Sequence, residues 1–124
     1  MERKMIMDAR LAEAESRFAD IIWNHEPISS RLLAELAEKE LSWKKSTTYT
    51  VLKRLCLKGL FQNREGTVTS VISKEAYIAM QSEQFVEQTF SGSLPAFLVA
   101  FGSRKKLTDR EVEELRGIIE SMRG

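Results

Sequence analysis

From about Ser46 to Lys58 the chain reads as a helix with two chemically different sides, and it stops at Gly59. At about 100° per residue, Thr48, Leu52, Leu55 and Cys56 cluster on one side, while Ser46, Thr47, Thr50, Lys53 and Arg54 lie on the other. The first side needs a core to pack against. The second is small, polar and cationic. Just beyond Gly59, Leu60 to Asn63 and Thr67 to Ile72 are short β-prone runs around Arg64-Glu65-Gly66, the pattern of a two-stranded hairpin. Upstream, Leu11, Ala14, Phe18, Ile21 and Ile22 give the three-and-four spacing of an amphipathic helix that Pro27 ends. Ser29 or Ser30 can cap a second helix striped by Leu33, Leu36, Ala37 and Leu41. A break at Ser42-Trp43-Lys44-Lys45 separates it from the third. Three helices followed by a hairpin describe a winged helix-turn-helix.

The remaining third of the chain is helical again. Ser73 can cap a helix to about Phe90, Ser91-Gly92-Ser93 breaks it, and Leu94 to Phe101 forms a short apolar helix with Pro95 in its first turn. Thr108-Asp109-Arg110-Glu111 fits a capping box that opens a last helix striped by Val112, Leu115, Ile118, Ile119 and Met122. These helices also carry Phe85, Val86, Phe90, Phe97, Leu98, Val99 and Phe101, more apolar surface than such short elements can bury among themselves. The alternative is that they fold back on the first three helices as one core. We favour a partner subunit, with Phe85, Phe90, Phe97, Leu98, Phe101, Val112, Leu115, Ile118, Ile119 and Met122 as the dimerisation residues. The expected fold class is mostly α with a small β-hairpin: a winged-helix DNA-binding domain over residues 1–73, then a C-terminal helical dimerisation region over residues 74–124.

Composition closes several alternatives. With 43% hydrophobic and 30% charged residues, two Pro and six Gly in 124 residues, the chain is neither disordered nor fibrous. The single cysteine, Cys56, cannot form an internal disulfide, and no opening stretch reads as a secretory signal, so the expected location is cytoplasmic. The longest apolar run, Phe97 to Phe101, is far short of the roughly 18 residues of a membrane span, so no membrane insertion is expected. Catalysis lacks a convergent set of groups: there is one His and one Cys, and no glycine-rich phosphate loop. His25 reads as a helix-end residue and Cys56 as core. Neither an enzyme nor a metal or cofactor site is expected.

A formal charge of +1 seems to argue against nucleic acid, but its distribution is uneven. Between Leu41 and Lys74 there are seven cations, Lys44, Lys45, Lys53, Arg54, Lys58, Arg64 and Lys74, against the single acid Glu65. That is +6, with −5 left for the rest of the chain. The excess falls on the third helix and the hairpin, the two elements that a winged helix lays against DNA. Lys44, Lys45, Lys58 and Arg64 suit phosphates. Ser46, Thr47, Thr50, Lys53 and Arg54 can meet base edges, while Arg54 has a phosphate contact or an ion pair to the first helix as its alternatives. The rival function is a winged-helix interaction module that binds an acidic protein partner rather than DNA.

The run Trp43-Lys44-Lys45-Ser46-Thr47-Thr48-Tyr49-Thr50-Val51-Leu52-Lys53-Arg54-Leu55-Cys56-Leu57-Lys58-Gly59 resembles the signature of the BlaI/MecI family, the penicillinase and methicillin-resistance repressors. The likeness extends to Glu15 and Ile22-Trp23, to Phe90-Ser91-Gly92-Ser93, and to Leu107-Thr108 through Leu115. The resemblance implies a homodimeric, sequence-specific transcriptional repressor on a pseudopalindromic operator, controlling a resistance or stress operon. It also implies a membrane-bound metalloprotease sensor as partner, and a cleavage position at Ala100-Phe101, where the family pattern has Asn before the Phe. At Thr69-Ser70-Val71-Ile72 the chain departs from the family's aromatic and proline motif. The cysteine cluster of the copper-responsive branch is absent, since Cys56 stands alone.

Overall fold

The computed structural model describes residues 11–124. Among them are six helices and one three-stranded sheet: α1 (Glu13–His25), β1 (Ile28–Ser29), α2 (Ser30–Leu41), α3 (Lys45–Leu57), β2 (Phe61–Arg64), β3 (Thr67–Ser70), α4 (Lys74–Phe90), α5 (Leu94–Arg104) and α6 (Asp109–Ser121). The chain divides into two compact units, one running through Gln81 and one spanning Ser82–Gly124.

The first unit is a winged helix built on one core. Phe18, Ile22, Leu33, Leu55, Leu60, Phe61 and Val68 are all at most 1% exposed, so α1, α2, α3 and both long strands each contribute a fully buried side chain. Truncating a buried aromatic such as Phe18 or Phe61 to Ala costs about 3–5 kcal/mol in sites of this kind. α2 starts where Ser29 Oγ accepts the Leu32 amide at 3.0 Å. The wing turns at Glu65-Gly66, both with positive φ (52° and 89°), the primed turn that matches strand twist, and Asn63 Oδ1 accepts the Gly66 amide at 3.0 Å.

The sheet holds one strand more than the two-stranded hairpin expected from the sequence. β1 pairs antiparallel with β3 (Ile28 with Val68, Ser29 with Thr67), giving the order β1-β3-β2. Two residues are too few to show an alternating pattern, and their partners lie far along the chain. Ile28 is buried, and the pairing leads straight into the Ser29 cap, so the wing and the start of α2 share one backbone ladder.

The same unit includes the start of α4. Trp23 packs at a tilt against Phe61 and Tyr77 (ring centroids 5.2 and 5.6 Å apart), its indole N–H donates to the Ile72 carbonyl at 3.1 Å, and Lys74 pairs with Asp20 at 2.8 Å.

The second unit comprises the end of α4, α5 and α6. Ser93 Oγ caps α5 through the Ala96 amide, and Thr108 and Glu111 form the expected capping box. α5 runs on to Arg104, past Phe101, because Gly102 and Ser103 are absorbed into its last turn, where the Ser103 hydroxyl donates to the Ala100 carbonyl at 2.7 Å. Phe97 lies at the centre of an aromatic cluster, 6.1 Å from Phe85, 5.7 Å from Phe90 and 6.1 Å from Phe101. None of the residues on these helices is fully buried. Phe85, Leu94, Val99, Phe101, Ile118, Ile119 and Met122 are exposed. A hollow of about 360 Å³ opens among Leu94, Ile119, Met122 and Arg123.

Candidate nucleic-acid interface

α3 organises the site. Its inner side, Thr48, Val51, Leu52 and Leu55, is buried, with Val51 joining the residues the sequence placed there. Cys56 is only partly buried, and that burial still pushes its thiol pKa upward, because a thiolate would lose hydration. The helix begins at Lys44 with no side-chain cap and no acidic residue in its first turn. Its electropositive end therefore adds to Lys44 and Lys45 instead of being neutralised.

The outer side carries the rest of the predicted residues. Lys44, Lys45, Ser46, Thr47, Thr50 and Lys53 are exposed. Among the described residues no ion pair engages Lys44, Lys45 or Lys53. Arg54 is different: its Nη2 lies 3.0 Å from Glu15 Oε2 on α1. Lys58, just past the end of α3, is half-buried. Arg64 is exposed at the wing tip, where its Nε donates to Gln62 Oε1 at 3.2 Å, and Gln62 Nε2 in turn donates to Thr69 Oγ1 across the strand pair at 3.1 Å.

Two contributors escaped the sequence reading. Tyr49 is 39% exposed and lines, with Leu52, Lys53, Cys56 and Asn63, a groove of about 310 Å³ between α3 and β2. Its signal was present: Lys45, Tyr49 and Lys53 are spaced four apart and so form one stripe. Asn63 had no such signal, since its place beside α3 depends on the wing folding back.

The arrangement presents small hydroxyls and cations without an ion pair among the described residues on the outer side of one helix, with Arg64 on the neighbouring hairpin. Helices of that shape fit the major groove, where hydroxyls and ammonium groups can meet base edges and phosphates. Chemistry of another kind has little support: among the described residues no three His, Cys, Asp or Glu side chains could hold a metal ion, and no helix is long and apolar enough to cross a membrane.

Residues 11–121 match the family model described as penicillinase repressor. The chain belongs to the penicillinase repressor family. That family is one of transcriptional repressors, not enzymes. Among its curated relatives, the penicillinase repressor of Bacillus licheniformis is 30% identical over 115 residues, covering 90% of each chain. The methicillin resistance regulatory protein MecI of Staphylococcus aureus (strain Mu50 / ATCC 700699) is 24% identical over 113 residues, covering 88% of this chain and 92% of MecI. A MecI of Mammaliicoccus sciuri is 23% identical over the same length. The penicillinase repressor match takes in every described helix and strand, from α1 to the end of α6 at Ser121. Ala100-Phe101, where the family resemblance put a cleavage position, lies inside α5.

Proposed function

We propose that this penicillinase repressor family member is a cytoplasmic, homodimeric repressor that binds a pseudopalindromic duplex operator, one half-site per subunit. The observation that carries the reading is the outer side of α3: Lys44, Lys45 and Lys53 stand exposed, with no ion pair among the described residues, beside Ser46, Thr47 and Thr50, on a helix whose other side is core. In this reading α3 enters the major groove, with Ser46, Thr47, Thr50 and Lys53 toward base edges. Lys44, Lys45 and Lys58 meet the flanking phosphates, and Arg64 carries the wing to the backbone.

Dimerisation belongs to residues 74–124. A unit of this size with no fully buried residue on its helices cannot hold itself together by its own core. Phe85, Phe90, Phe97, Leu98, Phe101, Val112, Leu115, Ile118, Ile119 and Met122 provide the apolar surface that a second copy would cover. Linking two half-site readers makes the second contact intramolecular, so whatever weakens the dimer releases DNA. A sensor-linked protease cutting at Ala100-Phe101 would have to unwind α5, where the Phe101 carbonyl accepts the Lys105 amide at 3.0 Å. The names of its relatives, a penicillinase repressor and a methicillin resistance regulatory protein, support resistance genes as the regulated ones.

The test is binding of labelled duplex by the full chain at stepped salt. A DNA-binding repressor gives affinity that falls linearly with log salt, and a preferred sequence at fixed salt. Absence of duplex binding at low salt would falsify the reading and leave the acidic-protein partner in its place.

A further inference from the structure

α3 is tied to α1 near both of its ends. Before its first turn, Trp43 packs on Phe18 with ring centroids 5.1 Å apart. In its last turn, Arg54 reaches Glu15 at 3.0 Å. The second tie is electrostatically well placed, because Glu15 sits in the first turn of α1 and Arg54 in the last turn of α3, so each charge also suits its own helix end. The Glu15 side chain is only 16% exposed, and Arg54 is its ion-pair partner among the described residues. A carboxylate so far withdrawn from water depends on that partner. Arg54, 47% exposed, is thereby committed to the scaffold, whereas Lys45 and Lys53 on the same helix are not.

We infer that Glu15 is a positioning residue for DNA discrimination: acting through Arg54, it fixes the tilt at which α3 presents Ser46, Thr47, Thr50 and Lys53, and Arg54 does not itself read bases. The inference rests on the duplex-binding reading above. Two ties to one helix suffice to set an orientation, and base readout tolerates little error in it, because hydrogen bonds to base edges weaken steeply with angle. Releasing the Arg54 end leaves α3 held by its buried inner side and the Phe18–Trp43 contact, with the outer edge of its last turn no longer fixed to α1.

The experiment uses the full chain with Glu15→Gln, Arg54→Gln, the double variant and the swap Glu15→Arg/Arg54→Glu. The probes are a duplex selected from a random-sequence pool by the wild-type protein, and a random duplex. Glu15→Gln, at a residue with no proposed DNA contact, is expected to lower the selected-to-random affinity ratio about tenfold, as does Arg54→Gln. The double variant falls no further, the swap recovers part of the ratio, and the salt slope on random duplex is unchanged in all four. A wild-type ratio in Glu15→Gln, additive losses, or a salt slope reduced by about 1 in Arg54→Gln overturns the inference, the last by showing a phosphate contact. A double-mutant cycle on urea unfolding reads the same pair without DNA. If the wild-type chain selects no duplex, the operator reading is what fails. The cycle then decides whether Glu15 and Arg54 are coupled, and zero coupling overturns the tie itself.

Discussion

Glu26 holds Ser70 with both carboxylate oxygens: Oε1 accepts the Ser70 amide at 2.7 Å and Oε2 accepts its hydroxyl at 2.9 Å. Glu26 follows directly on α1 and Ser70 ends β3, so the base of the wing is fastened to the segment that leaves the first helix. Trp23, one turn earlier, fastens the next stretch through the Ile72 carbonyl. This chain lacks the proline motif expected at Thr69 to Ile72, and these two attachments occupy that stretch.

Replacing Glu26 with Ala strands both Ser70 donors. Hydrogen bonds to a charged acceptor are each worth about 1.5–3 kcal/mol. Glu26→Ala should therefore lower unfolding free energy by about 2 kcal/mol or more in urea titration, with Glu26→Gln costing less. A loss below about 0.5 kcal/mol for the Ala variant would show that the attachment is dispensable.

Thr48 gives a prediction of the opposite sign. Its side chain is fully buried on the inner side of α3, and its hydroxyl has no hydrogen-bond partner among the described residues. Thr48→Val replaces an unsatisfied group with a methyl of similar size and should stabilise the fold by about 1 kcal/mol. A destabilised Val variant would mean that the hydroxyl is satisfied in solution.

The periodic parts of this architecture are visible in the residues themselves. The Ser29 and Thr108 caps, the stop at Gly59 and the turn at Glu65-Gly66 are local devices, so a single pass along the chain finds them. What escapes is non-local. Ile28-Ser29 becomes a strand only because Val68 and Thr67 arrive beside it, and the ion pair to the first helix, one of the alternatives the sequence left open for Arg54, is singled out only when α1 brings Glu15 to it. Helical phase placed Arg54 on the right side of α3, yet it could not choose between a base, a phosphate and a carboxylate as its partner. Tyr49 was overlooked for the reverse reason: aromatic side chains are usually counted toward the core.

Burial raises the Cys56 thiol above its ordinary value of 9.0. At pH 8, alkylation of the native chain should therefore be slower than that of the urea-unfolded chain. Because the folded-state value is the higher one, the stability that this linkage contributes is complete below pH 9.0 and is lost as pH rises through the folded value. Stability measured between pH 8 and 10 should thus fall more in the wild type than in Cys56→Ala. Identical pH profiles would show that the thiol is solvated.

Lys45 and Thr50 should separate affinity from discrimination. Lys45→Ala is expected to weaken binding to selected and random duplex alike and to reduce the salt slope by about 1. Thr50→Ala should leave the slope intact and narrow the gap between the two duplexes. Equal losses on both probes for Thr50→Ala would remove it from the reading surface.

Ile119→Asp places a charge on the exposed apolar face of α6, where Ile119 is 50% exposed and lines the hollow with Leu94 and Met122. The expected result is a monomer by sedimentation, with operator affinity weakened at least tenfold by loss of the second half-site. A variant that still sediments as a dimer would place the interface elsewhere.

The inner side of α3 (Thr48, Val51, Leu52, Leu55) and its outer side (Ser46, Thr47, Thr50, Lys53) have no residue in common. Mutation can therefore explore the outer side almost without drawing on folding stability, since exposed substitutions generally cost within about 0.5 kcal/mol. A scaffold divided in this way can diverge quickly in what it recognises while its core stays still. Lineages carrying it can acquire new targets one surface residue at a time.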